Sequence, residues 1–100
     1  MIFARITGNP VVTHCYFPQI PREGDIVTIT NLKRGEKEIY GSTLPTVELD
    51  EENAPFGINF VVESVFYNVR GITPEQSNYA KEHPDEFECE VIVNLRYARG

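Results

Sequence analysis

The chain has 100 residues, 41% of them hydrophobic and 24% charged, with a formal net charge of −6. This length predicts a single domain, residues 1–100, with one small core. An acidic surface repels phosphate groups, which disfavours general binding to nucleic acids and to anionic membranes. Segments rich in β-branched and aromatic residues predict a mainly β domain.

The first apolar run is interrupted by Arg5 and Thr7, a pattern that a secretory signal peptide lacks. No apolar run approaches the roughly 18 residues that a membrane-spanning helix needs. The sequence therefore predicts a cytoplasmic protein that does not enter the membrane. Cys15 and Cys89 are predicted to be reduced thiols buried in strands.

Residues 2–7 alternate between apolar and other side chains, and residues 11–17 are rich in β-branched and aromatic residues. The turn cluster Gly8-Asn9-Pro10 between them predicts an antiparallel hairpin. In the second strand, Val12, His14 and Tyr16 share one face. Neither face of this strand is clearly polar, so one of them is expected to meet a partner or another part of the chain.

Pro21 and the Gly24-Asp25 pair predict a tight turn that leads into a third strand at residues 26–30. Residues 31–37 are mostly charged and predict a loop or hairpin tip around Gly35, followed by a short returning strand at 38–40.

Residues 41–57 are acidic and are interrupted by two prolines, which predicts an irregular segment. A short edge strand is expected within it at Thr46–Leu49.

Residues 58–69 predict a long strand with a fault in its alternation. The apolar phase of the first half changes at Glu63-Ser64, and Val65 begins the opposite phase. One additional residue in a strand produces this change, which predicts a β-bulge and a sharp bend.

Thr73, Pro74 and Gln76 form a helix start, because they fit the N-cap, the first helical position and the third position of a capping box. The helix is expected to end at residue 82 or 83, before Pro84. Residues 89–97 then alternate as a half-buried strand. The predicted fold is mainly β: a small, strongly bent antiparallel sheet or open barrel with one short helix before the last strand.

No cofactor and no metal site is predicted. His14 and Cys15 are adjacent in a strand and point to opposite faces, and the acidic run Asp50–Asn53 lacks the spacing of a calcium loop. Cys15 lies in mid-strand among apolar residues, which indicates an unreactive thiol. We expect no enzyme activity, with a small enzyme that uses Cys15 or an acidic loop site as an alternative.

Lys33, Arg34 and Lys37 form a basic cluster, which supports a second alternative, a small-barrel nucleic-acid-binding protein. The neighbouring Glu36 and Glu38 dilute this charge, so nucleic acid is not the expected ligand.

Surplus aromatic surface favours a protein partner or self-association, because exposed apolar clusters usually mark interfaces. No small-molecule substrate is identified. We therefore predict a non-enzymatic interaction or structural module. Its candidate partner-binding residues are His14, Tyr16, Phe66, Lys33, Arg34 and Lys37.

Three short patterns carry a resemblance to known proteins: Pro21-x-x-Gly24-Asp25-x-Val27, Phe60-x-Val62-x-x-Val65 and Val91-x-Val93-x-Leu95. In these the chain resembles small uncharacterised bacterial and bacteriophage proteins, and small SH3-like barrel domains. The resemblance implies an open SH3-like barrel and a phage or prophage context, and it includes no catalytic motif. The chain departs from the pattern in its acidic segment at 41–57 and in its helix.

Overall fold

The computed structural model of the protein describes residues 1–8, 12–50 and 57–98. The described residues form seven strands, one α-helix and two 3₁₀ turns. The strands are β1 (Ile2–Gly8), β2 (His14–Phe17), β3 (Ile26–Ile29), β4 (Leu32–Ile39), β5 (Ser42–Leu49), β6 (Ile58–Asn68) and β7 (Glu90–Tyr97). The helix α1 (Ser77–Glu82) lies between the 3₁₀ turns Pro74–Gln76 and Pro84–Phe87. The predicted class, mainly β with one short helix before the last strand, is confirmed.

Five of the strands form one sheet in the order β2-β1-β7-β6-β3. The sheet curls into an open half-barrel, so that its two edge strands, β2 and β3, line the same cleft of about 350 Å³. The predicted hairpin of β1 with β2 is confirmed, with Ile2 opposite Phe17 and Arg5 opposite His14. Neighbouring strands are antiparallel except for β1 and β7, which run parallel.

The core fills the concave, inner face of this sheet. Its largest fully buried side chains are those of Phe60, Leu32, Leu95, Val62 and Val93. Strands β1, β6 and β7 each contribute alternate residues, because successive side chains of a strand point to opposite faces. The core therefore lies on the inner face of the sheet, whereas most large side chains of the outer face are exposed and Ile92 is buried there.

The predicted bulge in β6 is confirmed. Val62 lies opposite Leu95, but Ser64 lies opposite Asn94, so Glu63 is the additional residue. Because the bulge shifts the alternation by one position, the inner face continues with Val65, which lies opposite the buried Val93.

The turn at Arg22–Asp25 joins the sheet beside the bulge. Its own hydrogen bonds run from the Asp25 N–H to the Arg22 carbonyl (3.0 Å) and from the Arg22 N–H to the Asp25 carboxylate (2.8 Å). The Gly24 N–H donates to the Val62 carbonyl (2.8 Å), and the Val62 N–H donates to the Asp25 carbonyl (2.9 Å). Gly24 has φ +92°, a conformation that other residues rarely adopt.

Strands β4 and β5 pair with each other in a separate two-stranded sheet, which we call the arm (residues 32–49). The predicted loop at 31–37 and the returning strand at 38–40 are therefore wrong, as is the irregular structure expected from residue 42 to residue 45. The edge strand expected at Thr46–Leu49 is confirmed as the second half of β5. The arm turns at Tyr40 and Gly41, with φ values of 51° and 78°. Positive φ at both central residues defines a type I′ turn, which fixes Ile39 opposite Ser42.

The arm projects from the rest of the molecule. The structure measures 62 × 29 × 25 Å with a radius of gyration of 18.0 Å, against about 13 Å for a compact domain of this length. At its base, Leu32 is fully buried and β4 packs against β6. Eight residues of extended strand span about 26 Å, so the arm is about as long as the half-barrel is wide.

The predicted helix is confirmed, although its first turn is a 3₁₀ turn. The Thr73 N–H donates to the side-chain oxygen of Gln76 (3.4 Å), and α1 ends before Pro84. Ala80 is the buried residue of α1, so the helix packs with a narrow face. None of the helices in the described part of the chain is long and apolar enough to cross a bilayer.

We expect Gly24→Ala to lower the free energy of unfolding by about 1–2 kcal/mol, the usual penalty for an L-residue in left-handed backbone. A Cβ at this position meets nothing within 4 Å, so the loss would come from the backbone conformation. Gly71→Ala is the matched control, since Gly71 is equally open and has no positive φ. Equal stability of the two variants in urea titrations would contradict this account of the turn.

Candidate functional site

The convex, outer face of the half-barrel carries an exposed aromatic group, which we call the outer-face cluster (Phe3, His14 and Tyr16). The rings of Phe3 and His14 are stacked, with centroids 4.8 Å apart and planes 1° from parallel. The Tyr16 ring lies 5.0 Å from that of Phe3 and is tilted by 46°. Tyr16 remains 65% exposed and Phe3 56% exposed, so this stacking does not bury either ring.

Strand pairing places these residues on one face. Phe3 lies opposite Tyr16 and Arg5 opposite His14 in the antiparallel β1–β2 pair. Directly opposed residues of paired strands project from the same side of a sheet. The same rule extends this face to two further strands, β7 and β6.

Arg5 lies opposite Ile92 of β7, and Ile92 lies opposite Phe66 of β6. The structure thus brings three of the predicted partner-binding residues, His14, Tyr16 and Phe66, onto one surface. Phe66 is at its far end and is 53% exposed.

Polar contacts surround the cluster and balance its charge. Arg5 forms an ion pair with Glu90 at 3.2 Å, with both side chains about half exposed (45% and 46%). The Asn68 side-chain amide also donates to Glu90 (3.1 Å), and Nδ1 of His14 lies 3.0 Å from the hydroxyl of Thr13. The surface is therefore aromatic and nearly neutral on a strongly acidic protein.

Two residues of this region differ from the sequence prediction. Val12 was expected on the exposed face with His14 and Tyr16, but it precedes β2 and packs against the core. Phe3 was missed, although the alternation of β1 identifies it: it is out of phase with the inward-facing Ala4 and Ile6.

The three predicted basic residues lie on the arm, away from the outer-face cluster. Lys33 and Lys37 share one face of β4, and Arg34 projects from the other. Lys33 lies directly opposite Glu48, which counters its charge. The arm therefore divides these basic residues between two surfaces.

The two cysteines differ from each other. Cys15 is on the inner face of β2, and partial burial raises the pKa of its thiol. A raised pKa keeps the group as the thiol, which is the poorer nucleophile. Cys89 was predicted to be buried in a strand, but it is exposed and precedes β7. The alternation of β7 extends to residue 89, but the strand pairing begins at Glu90.

The cleft beside the arm is mainly apolar. An apolar cleft of about 240 Å³ separates the arm from the half-barrel, with Arg34, Val47, Ile58 and Tyr97 in its walls. In residues 1–8, 12–50 and 57–98, no group of three His, Cys, Asp or Glu side chains is placed to hold a metal ion. Of the predicted acidic site, Asp50 is buried and its N–H donates to the Asn31 carbonyl (2.7 Å). Glu51–Asn53 lie outside the described residues.

A polar and aromatic group that the sequence did not indicate surrounds α1. The Tyr79 ring lies 4.3 Å from that of His83, and the Arg70 guanidinium lies 4.6 Å from the Phe87 ring centroid. A hydrogen bond to the Glu86 carboxylate raises the pKa of Tyr79. These contacts link α1 to the segments on either side of it, and we assign them a structural role.

Comparison of the chain with protein-family models, curated proteins and solved structures found no match. The functional proposal therefore depends on the geometry of this chain alone.

We expect Cys15 to react slowly in the folded protein. In a Cys89→Ser variant at pH 8, alkylation of Cys15 should be severalfold slower in the folded protein than in urea. Burial blocks access to the thiol, and the raised pKa lowers its thiolate fraction. The folded-state rate should still rise with pH where the unfolded-state rate has levelled off. Cys15→Ser, which retains the exposed Cys89, is the control and should react similarly in both states. Equal Cys15 rates in the two states would refute burial.

Proposed function

We propose that this protein is a non-enzymatic interaction module that associates with copies of itself. The outer-face cluster is the observation on which the proposal depends. Three adjacent aromatic rings on an open sheet face, more than half exposed for Phe3 and Tyr16, are typical of a protein interface.

The total surface supports association. A folded monomer of 11.4 kDa is expected to expose about 5,800 Å². This chain exposes 7650 Å², an excess of about 1,900 Å² over that scaling. A standard interface buries about 800 Å² on each partner. The excess is more than twice that area, so the chain exposes enough additional surface for association.

The electrostatics of the cluster favour a like partner. The net charge of −6 makes two copies repel each other at long range. At the cluster, however, Arg5 and Glu90 compensate each other, so the central contact does not bring like charges together. Salt should strengthen self-association by screening the long-range repulsion.

The SH3-like relationship and the phage context that the resemblance implies are also part of this proposal. We infer an SH3-like relationship from the Gly24-Asp25 turn that leads into β3, and a phage or prophage context from the same patterns. A cytoplasmic location and a role as a structural component complete the proposal.

We expect the patch variant, Phe3→Ser/Tyr16→Ser, to be monomeric. Sedimentation velocity across a range of concentrations should give 11.4 kDa for this variant and a larger average mass for the wild type. Both side chains are exposed, so the circular dichroism spectrum should not change.

Val69→Ser/Ile72→Ser is the matched control, since Val69 and Ile72 are 72% and 52% exposed and lie outside the cluster. It should associate as the wild type does. A wild type that remains monomeric at every concentration would refute self-association. A patch variant that associates normally would exclude this surface.

A further inference from the structure

The arm leaves most of its own apolar side chains uncovered. Apart from buried Leu32 and half-buried Val47, its large apolar residues are exposed. Ile39, Tyr40 and Leu44 gather at the tip, where they are 36%, 103% and 46% exposed. An isolated two-stranded hairpin is marginally stable in water, so packing on another surface would stabilise this one.

The turn residue Tyr40 adds a second observation. Its φ of 51° lies in the left-handed region, where Asn, Asp or Gly is preferred in a type I′ turn. A tyrosine there carries a conformational penalty, and its fully exposed ring gains no compensating contact within the described chain. An exposed aromatic residue in strained backbone indicates a role in binding.

The strand edges of the arm are poorly suited to pairing with another strand. Hydrogen-bonded and non-hydrogen-bonded pairs alternate along the arm, starting from the hydrogen-bonded pair Ile39–Ser42 beside the turn. Glu36–Pro45 is therefore a non-hydrogen-bonded pair, whose N–H groups would point to the free edges. Because proline has no N–H, Pro45 removes one donor from the free edge of β5. The free edge of β4 belongs to a strand with five charged residues out of eight, which also disfavours edge-to-edge pairing. The tip is therefore the part of the arm best suited to a contact.

The tip and the outer-face cluster belong to the same chain but do not meet in it. The arm follows β3 and holds its turn about 26 Å from its buried base at Leu32. Tyr40 and Tyr16 are both largely exposed in the same structure. A chain with two separate, apolar and exposed surfaces can join the first surface of one copy to the second surface of the next.

The area supports two different contacts on each copy. The excess surface of about 1,900 Å² is roughly twice the 800 Å² that each partner gives to one standard interface. A dimer formed by the cluster alone would use one such area on each copy. A head-to-tail assembly uses two.

We propose that the arm tip, Ile39, Tyr40 and Leu44, docks on the outer-face cluster of a second copy of this chain. This inference rests on the proposed function and names the surface that covers the cluster. Tyr40 packs against the exposed faces of Phe3 and Tyr16, and Ile39 and Leu44 pack around it. Repetition of the contact gives a ring or an open filament, depending on the rotation between successive copies.

The first test uses Tyr40→Asn. Asparagine followed by Gly41 is the preferred type I′ sequence, so the thermal midpoint should be equal to or above that of the wild type. The dissociation constant for self-association should nevertheless rise about tenfold or more, as for loss of an interface tyrosine. Unchanged association would overturn the proposal, and the retained stability excludes unfolding as the cause of a loss.

The second test mixes two variants, an arm variant (Tyr40→Asn/Leu44→Ser) and the patch variant (Phe3→Ser/Tyr16→Ser). Each should be monomeric alone in sedimentation velocity. Their equimolar mixture should form a dimer of twice the 11.4 kDa monomer mass, because one intact tip meets one intact cluster and the chain of contacts ends there. The control is a mixture of the arm variant with Val69→Ser/Ile72→Ser. This second variant keeps both its arm tip and its outer-face cluster, so the mixture should also contain species larger than a dimer.

The outcomes separate this inference from the proposed function. A wild type that is always monomeric overturns both. A wild type that associates, a patch variant that does not and an arm variant that associates normally overturn the arm contact alone and indicate a cluster-to-cluster dimer. A mixture that remains monomeric also overturns the arm contact.

Discussion

The geometry of the molecule depends on the hydrogen bonding of Val62, next to the bulge in β6. On one side Val62 lies opposite Leu95 of β7, and on the other its N–H and carbonyl bond to the Arg22–Asp25 turn. The additional residue, Glu63, then shifts the alternation and bends the strand. The bend gives the sheet its curl, and the turn sets where β3 begins and hence where the arm leaves the half-barrel.

A curled sheet of this size can bury one face with its own side chains. The concave face contains Phe60, Val62 and Leu95 in a continuous core, whereas α1 packs mainly against the two 3₁₀ turns beside it. The convex face consequently keeps Phe3 and Tyr16 exposed. The arm lies further from the core, and both of its faces are mostly uncovered. The half-barrel therefore contains the core, whereas the outer-face cluster and the arm are not covered by other parts of the described chain.

The sequence predicted the structure best where packing requires apolar residues at a regular spacing. The phase change at Glu63-Ser64 predicted the bulge, and Thr73, Pro74 and Gln76 predicted the start of the helix. β4 was misread because the faces of the arm are mostly uncovered, so this strand has no apolar alternation and its sequence resembles that of a charged loop. Its turn has Tyr40 where Asn or Asp would have signalled a hairpin. Phe3 was missed, although it could have been found from its phase against Ala4.

The parallel pairing of β1 with β7 has a kinetic consequence. Ala4 lies opposite Val91, so two central strands of the sheet come from positions far apart in the chain. Such non-local pairs raise the contact order, and domains rich in them fold slowly because loop closure precedes any gain from contacts. The arm and the β1–β2 hairpin are local, and β6 lies closer to β7 in the sequence than β1 does, so these pairs can form before the β1–β7 pair. Until β1 is added, β7 presents an unpaired edge and an uncovered core face, and in this interval the chain is most exposed to aggregation.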